Sequence, residues 1–168
     1  MRIVSLVVGL TALIPSVVMA QTAAISRGQS YVFIAPGFGN TVPGDGILHF
    51  GVGGEALVRH RIGIGAEIGA VGPWPIGPSH QGGFADWVVG LGSANVSYHF
   101  LPEGDRKTEP FVTAGYSNFF RAGAYHGYNA GAGMNFWFKP KVATRFEVRY
   151  QNSFYREAIS FRLGLTFR

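Results

Sequence analysis

The chain has 168 residues, 25 of them glycine, no cysteine, and a formal net charge of +5 at pH 7. Without cysteine, disulfides and thiolate metal centres are excluded. The length suits one domain, and the mild positive charge points to anionic lipid headgroups rather than to nucleic acid.

Residues 1–20 read as an export signal. Arg2 supplies a short positive region, Ile3 to Ile14 an apolar one, and Pro15 breaks it. Val18-Met19-Ala20 places small residues before Gln21, which predicts cleavage between Ala20 and Gln21. The apolar stretch falls short of the roughly 20 residues a spanning helix needs. No cysteine follows the cut, so a lipoprotein anchor is not expected. The expected organisation is a leader over 1–20, a short segment over 21–28, and one β-barrel domain over 29–168.

No later stretch is apolar and long enough for a membrane helix. The other structure that satisfies its backbone in lipid is a closed barrel. Strands that cross a bilayer need roughly 9–11 residues, with side chains alternating between two faces. The first candidate, 29–36, carries Tyr31, Val32, Phe33 and Ile34, and its facing is ambiguous. Pro36-Gly37 is expected to stop it. The second, 47–58, turns Phe50, Val52, Ala56 and Val58 outward and Gly51, Gly53 and Glu55 inward. The third, 61–71, turns Ile62, Ile64, Ala66, Ile68 and Ala70 outward, with Gly63, Gly65, Glu67 and Gly69 inward. The fourth, 87–100, turns Ala94, Val96, Tyr98 and Phe100 outward, with Ser93, Asn95, Ser97 and His99 inward.

The fifth, 110–120, alternates Val112, Ala114 and Tyr116 with Thr113, Gly115 and Ser117. The sixth, 127–138, turns Tyr128, Ala130, Ala132, Met134, Phe136 and Phe138 outward. Its inward row is Asn129, Gly131, Gly133 and Asn135. The seventh, 142–152, turns Val142, Thr144, Phe146, Val148 and Tyr150 outward and Arg145, Glu147, Arg149 and Gln151 inward. The eighth, 159–167, is the cleanest: Ile159, Phe161, Leu163, Leu165 and Phe167 lie on one face, Ser160, Arg162, Gly164 and Thr166 on the other.

Arg59-His60-Arg61 and Lys139-Pro140-Lys141 are tight basic turns on one side, joined there by a longer turn over 101–109. Segments 37–46 and 72–86 on the opposite side are longer and rich in Gly and Pro. Short turns are periplasmic in outer-membrane barrels, so both termini are expected in the periplasm. Tyr98, Phe100, Phe136 to Phe138 and Phe167 gather at that end. Tyr116, Phe119, Phe120, Tyr125, Tyr128, Tyr150 and Tyr155 gather at the other, giving two aromatic girdles. A soluble, lipocalin-like periplasmic barrel is the competing architecture. It would turn Phe146, Val148 and Tyr150 inward and leave Arg145, Glu147 and Arg149 in water.

The sequence resembles the small outer-membrane β-barrel family, the type of the transmembrane domain of outer membrane protein A. The resemblance covers 28–168 and rests on Tyr31-Val32-Phe33-Ile34-Ala35-Pro36-Gly37, Ser97-Tyr98-His99-Phe100, Pro110-Phe111-Val112-Thr113-Ala114-Gly115-Tyr116 and Phe161-Arg162-Leu163-Gly164-Leu165-Thr166-Phe167. It implies a monomeric, eight-stranded, antiparallel, up-and-down transmembrane barrel in the outer membrane of a Gram-negative-type bacterium. Its partners would be outer-membrane lipid, lipopolysaccharide and, during biogenesis, the barrel-assembly machinery. Many members of the family end on an aromatic residue read by that machinery. Here Phe161, Leu163, Leu165 and Phe167 form the expected signal, and Arg168 follows it. Some relatives carry a peptidoglycan-binding domain after the barrel, which is not expected of a chain that stops here.

The chemistry-bearing set is the inward row Glu55, Glu67, Arg145, Glu147, Arg149 and Arg162. An eight-stranded barrel is just wide enough for side chains to fill it, and charges inside must be paired. A structural salt-bridge plug is expected; the alternative is a narrow ion path gated by exchange of partners. Some small outer-membrane barrels are lipid A deacylases with a Ser-His-acid triad near the last strands. The corresponding region here has Ser153 without a neighbouring His, and only His126 could approach it. The histidines at 49, 60, 80, 99 and 126 lack metal spacing, so neither metal nor other cofactor is expected. Gly51-Val52-Gly53-Gly54 lacks the Lys and helix of a phosphate loop, and its glycines read as space for side chains crossing the interior. Gly72 to Pro78 exposes Trp74 and Ile76, which are expected to lie on the membrane surface.

Overall fold

A computed structural model describes residues 27–39, 46–58, 61–74, 88–100, 107–121, 123–153 and 156–168. The export signal with its cut at Ala20-Gln21, together with His60, Ile76, His80 and Tyr155, lies outside them. The strands are β1 Arg27–Gly39, β2 Gly46–Val58, β3 Ile62–Pro73, β4 Val89–His99, β5 Thr108–Phe120, β6 Ala124–Lys139, β7 Val142–Ser153 and β8 Arg156–Phe167. Each pairs antiparallel with the next, and β8 returns to β1 to close the barrel. None of the described residues forms a helix long and apolar enough to cross a membrane.

Alternation decides which face meets which medium. Phe146, Val148, Phe161 and Leu163 are 47–51% exposed, whereas Arg145 and Arg162 are each 3% exposed. The soluble-barrel arrangement is therefore overturned: the apolar face lies outside and the charges lie within. Water would not tolerate an apolar wall of this extent, while acyl chains cover it without cost. Phe161 sits near the middle of β8 on this wall. Phe161→Arg is expected to destabilise the barrel by about 2–4 kcal/mol in urea titrations in lipid vesicles, the cost of a cation near the bilayer midplane.

Two expectations about strand ends are corrected. Pro36-Gly37 does not stop β1, which runs on to Gly39. Proline has no N–H to donate, and the β1–β8 ladder skips Ala35 and Pro36 before resuming at Gly37↔Ser160. Gly37 permits that resumption, because a Cβ there would lie 2.8 Å from the Ser160 Cα. The turn expected over 101–109 is shorter, since Thr108 and Glu109 already pair with Phe136 and Asn135.

The facing of β1, ambiguous in the sequence, follows from its neighbours. Tyr31 and Phe33 point inward, opposite Gly53 and Gly51 on β2. A Cβ on Gly53 would sit 2.6 Å from the Tyr31 ring, and one on Gly51 3.0 Å from the Phe33 ring. Glycine thus clears the volume that the rings occupy. Trp137, grouped with the girdle in the sequence, is another inward ring, and Phe111 joins it in the lumen. Phe136 and Phe138 on either side of Trp137 stay outside with Tyr98, Phe100 and Phe167.

Candidate functional site

The lumen holds the chemistry-bearing side chains, in two layers. Alternation aims Arg145, Glu147 and Arg149 of β7 inward at two-residue intervals, and the register sets Glu147 beside Arg162 of β8. Glu67 of β3 faces them from across the barrel. Its carboxylate accepts from Arg149 Nη1 at 2.7 Å, from Arg162 Nη1 at 3.0 and 3.1 Å, and from the Tyr31 hydroxyl at 2.7 Å. Glu147 accepts from Arg145 Nε and Nη2 at 3.2 and 3.1 Å and from Arg149 Nε. Arg162 Nη1 is also 3.9 Å from Glu147.

Three guanidinium groups meet two carboxylates in this central layer, and aromatic faces offset the imbalance. The Arg145 guanidinium carbon lies 4.4 Å from the Tyr31 ring centre and 3.9 Å from that of Phe111. That of Arg162 lies 4.1 Å from the centre of Phe33. Cations over ring faces are attracted more strongly when desolvated. The lumen-facing aromatics of β1 therefore solvate arginines as well as fill space.

Glu55, expected in the same set, stands apart. It accepts from Ser97 Oγ at 2.6 Å and lies 3.1 Å from His99 Nε2. It belongs to a second layer at the end of the barrel that carries the short turns. Glu109 is the hub of that layer. It accepts from Gln29 Nε2 at 3.2 Å, from Trp137 Nε1 at 2.8 Å and from Arg168, with His99 Nδ1 2.7 Å away. The Arg168 guanidinium lies over Trp137, 3.7 Å from the ring centre. Sequence reasoning missed Glu109, Trp137, Gln29 and the role of Arg168. Extending the inward row of β5 by two alternation steps, through Phe111, and that of β6 by one would have found Glu109 and Trp137.

Ser97, His99 and Glu109 stand in the order of a hydrolytic triad, with Ser97 Oγ 3.1 Å from His99 Nε2. The arrangement lacks what that chemistry requires. A general base needs a free lone pair toward the serine, whereas this imidazole has a carboxylate at each nitrogen. The Ser97 hydroxyl already donates to Glu55. Ser97 and His99 are buried, so no ester carbonyl reaches them. His126 is outward-facing, stacked on Tyr116 with ring centres 5.8 Å apart. Ser153 lies on β7, but its side chain is outside the described residues. Among the described residues, no group of three or more His, Asp or Glu is arranged to hold a metal ion.

No family model matches this sequence, and no curated protein matches it. Solved structures do match in fold. Neisserial surface protein A aligns with a TM-score of 0.66 at 11% identity, over 83% of this chain and 96% of that one. The N-terminal β-barrel domain of OprF from Pseudomonas aeruginosa aligns with a TM-score of 0.59 at 14% identity, over 84% and 98%. Ail, the attachment invasion locus protein of Yersinia pestis, aligns at 0.54 with 11% identity, over 83% and 97%. The architecture is thus that of the small eight-stranded outer-membrane β-barrels.

Proposed function

We propose that this barrel, with the architecture of the small outer-membrane proteins, resides in the outer membrane as a structural or surface-interacting protein whose lumen is closed by side chains. The bridge from Glu67 across the lumen to Arg149 and Arg162 carries the reading. A carboxylate tied to the opposite wall by hydrogen-bonded guanidinium groups supports a lumen blocked at that level. Lipid and lipopolysaccharide are its surroundings, and assembly machinery that reads Phe161, Leu163, Leu165 and Phe167 is its partner during insertion. The protein acts as a monomer, without catalysis. Export rests on residues 1–20, and an intact mass of the secreted form beginning at Gln21 is the expected result.

The test is planar-bilayer recording of the purified chain and of Glu67→Gln. Neither is expected to give unitary currents. Channels in either protein would overturn the plugged lumen and favour a small gated pore. One observation supports that second reading: Arg162 binds Glu67 while standing 3.9 Å from Glu147, so a second carboxylate is within reach. Membrane fractionation tests the location, and recovery in the soluble periplasmic fraction would refute it.

A further inference from the structure

We propose that the β6–β7 turn holds an anionic glycerophospholipid, with Lys139 and Lys141 on its phosphate and the phenylalanines below them on its acyl chains. The inference deepens the outer-membrane reading and rests on it. It starts from how the charges are sorted. Among the described residues, Glu55, Glu67, Glu109 and Glu147 all point into the lumen, and Glu157 lies at the far end of the barrel. Lys139 and Lys141, by contrast, are exposed on the outside of the turn end, as are Arg61 and Lys107. Glu103 and Asp105 lie outside the described residues.

The geometry at this turn is specific. Strict alternation would send Lys139 inward after Trp137. The pairing of β6 with β7 shifts between Trp137 and Lys139, and the lysine emerges exposed beside Phe138. Lys139 ends β6, and Pro140 and Lys141 form the two-residue turn that follows, so a single residue separates the two lysines. Phe138 is 59% exposed, and Phe136, Phe146, Leu165 and Phe167 continue the apolar wall down β6, β7 and β8. Phe146 meets Phe136 edge-on with ring centres 5.7 Å apart. Two ammonium groups above an aromatic wall match a phosphate above acyl chains. Interfacial lysines attract anionic headgroups, and the attraction weakens with salt.

The test is native mass spectrometry of the full chain in detergent, offered equal amounts of phosphatidylglycerol and phosphatidylcholine. Wild type is expected to retain phosphatidylglycerol up to about thirtyfold better, on the usual strength of two interfacial lysines. The preference should fall to near unity in Lys139→Ala/Lys141→Ala, survive in Lys139→Arg/Lys141→Arg, and shrink as salt rises. Equal retention of both lipids by wild type, or an unchanged preference in the alanine pair, would overturn the proposal. So would stronger retention of lipid A, which would place the phosphate source in the opposite leaflet. Heat-modifiable gel mobility, run on each sample, reports barrel closure separately. A wild-type chain that shows no shift refutes the barrel reading rather than the lipid site.

Discussion

Replacing Glu67 with Ala is expected to destabilise the folded barrel by about 3–5 kcal/mol, the range seen when one partner of a buried ion pair is removed. The loss arises because Arg149 and Arg162 stay buried while their shared carboxylate vanishes. Tyr31 also loses the acceptor of its hydroxyl. Glu67→Gln should cost less, since an amide oxygen still accepts from one guanidinium. Glu67→Ala combined with Arg162→Met should recover part of the loss, because the excess positive charge goes with the arginine. Urea unfolding in lipid vesicles, followed by the fluorescence of the tryptophans, measures all three. A destabilisation below about 1 kcal/mol for Glu67→Ala would show that the arginines find other partners, against the central bridge described above.

The second large effect is expected at Glu109. Gln29, His99, Trp137 and Arg168 reach this carboxylate from four different strands or strand ends. Glu109→Gln removes the charge, and a loss of about 2–3 kcal/mol is expected from hydrogen bonds to a charged group. Arg168 is only partly buried, so its share is the smaller one. Arg168→Met alone should cost about 1 kcal/mol or less for that reason. A double-mutant cycle between the two positions isolates their coupling. Zero coupling would mean that the Glu109 carboxylate contributes nothing to holding Arg168.

How much of this was legible in the sequence depended on whether a strand's two faces differ. Along β4, Ser93, Asn95, Ser97 and His99 alternate with Ala94, Val96, Tyr98 and Phe100, and period two was enough to place them inside. Along β1 both faces are apolar, so no pattern could orient Tyr31 against Val32. Only the register against Gly51 and Gly53 shows where a ring fits. Pro36 read as a terminator because proline usually ends pairing, yet here it only interrupts one of two ladders. The inward row of charges could be read from alternation. Its division into two layers could not. Whether Glu55 or Glu67 meets the β7 arginines depends on strand stagger and closure, which are properties of the whole barrel.

The interrupted ladder at Ala35 and Pro36 also bears on how the cylinder is sealed. Every other seam is formed by strands adjacent in the chain, whereas β1 and β8 come from opposite ends of the barrel's sequence. That join lacks two rungs partway along its length. Thermal opening should therefore begin there, and deuterium should enter the amide of Phe161, which faces β1 opposite Pro36, before those of Val148 and Arg149 on the neighbouring hairpin.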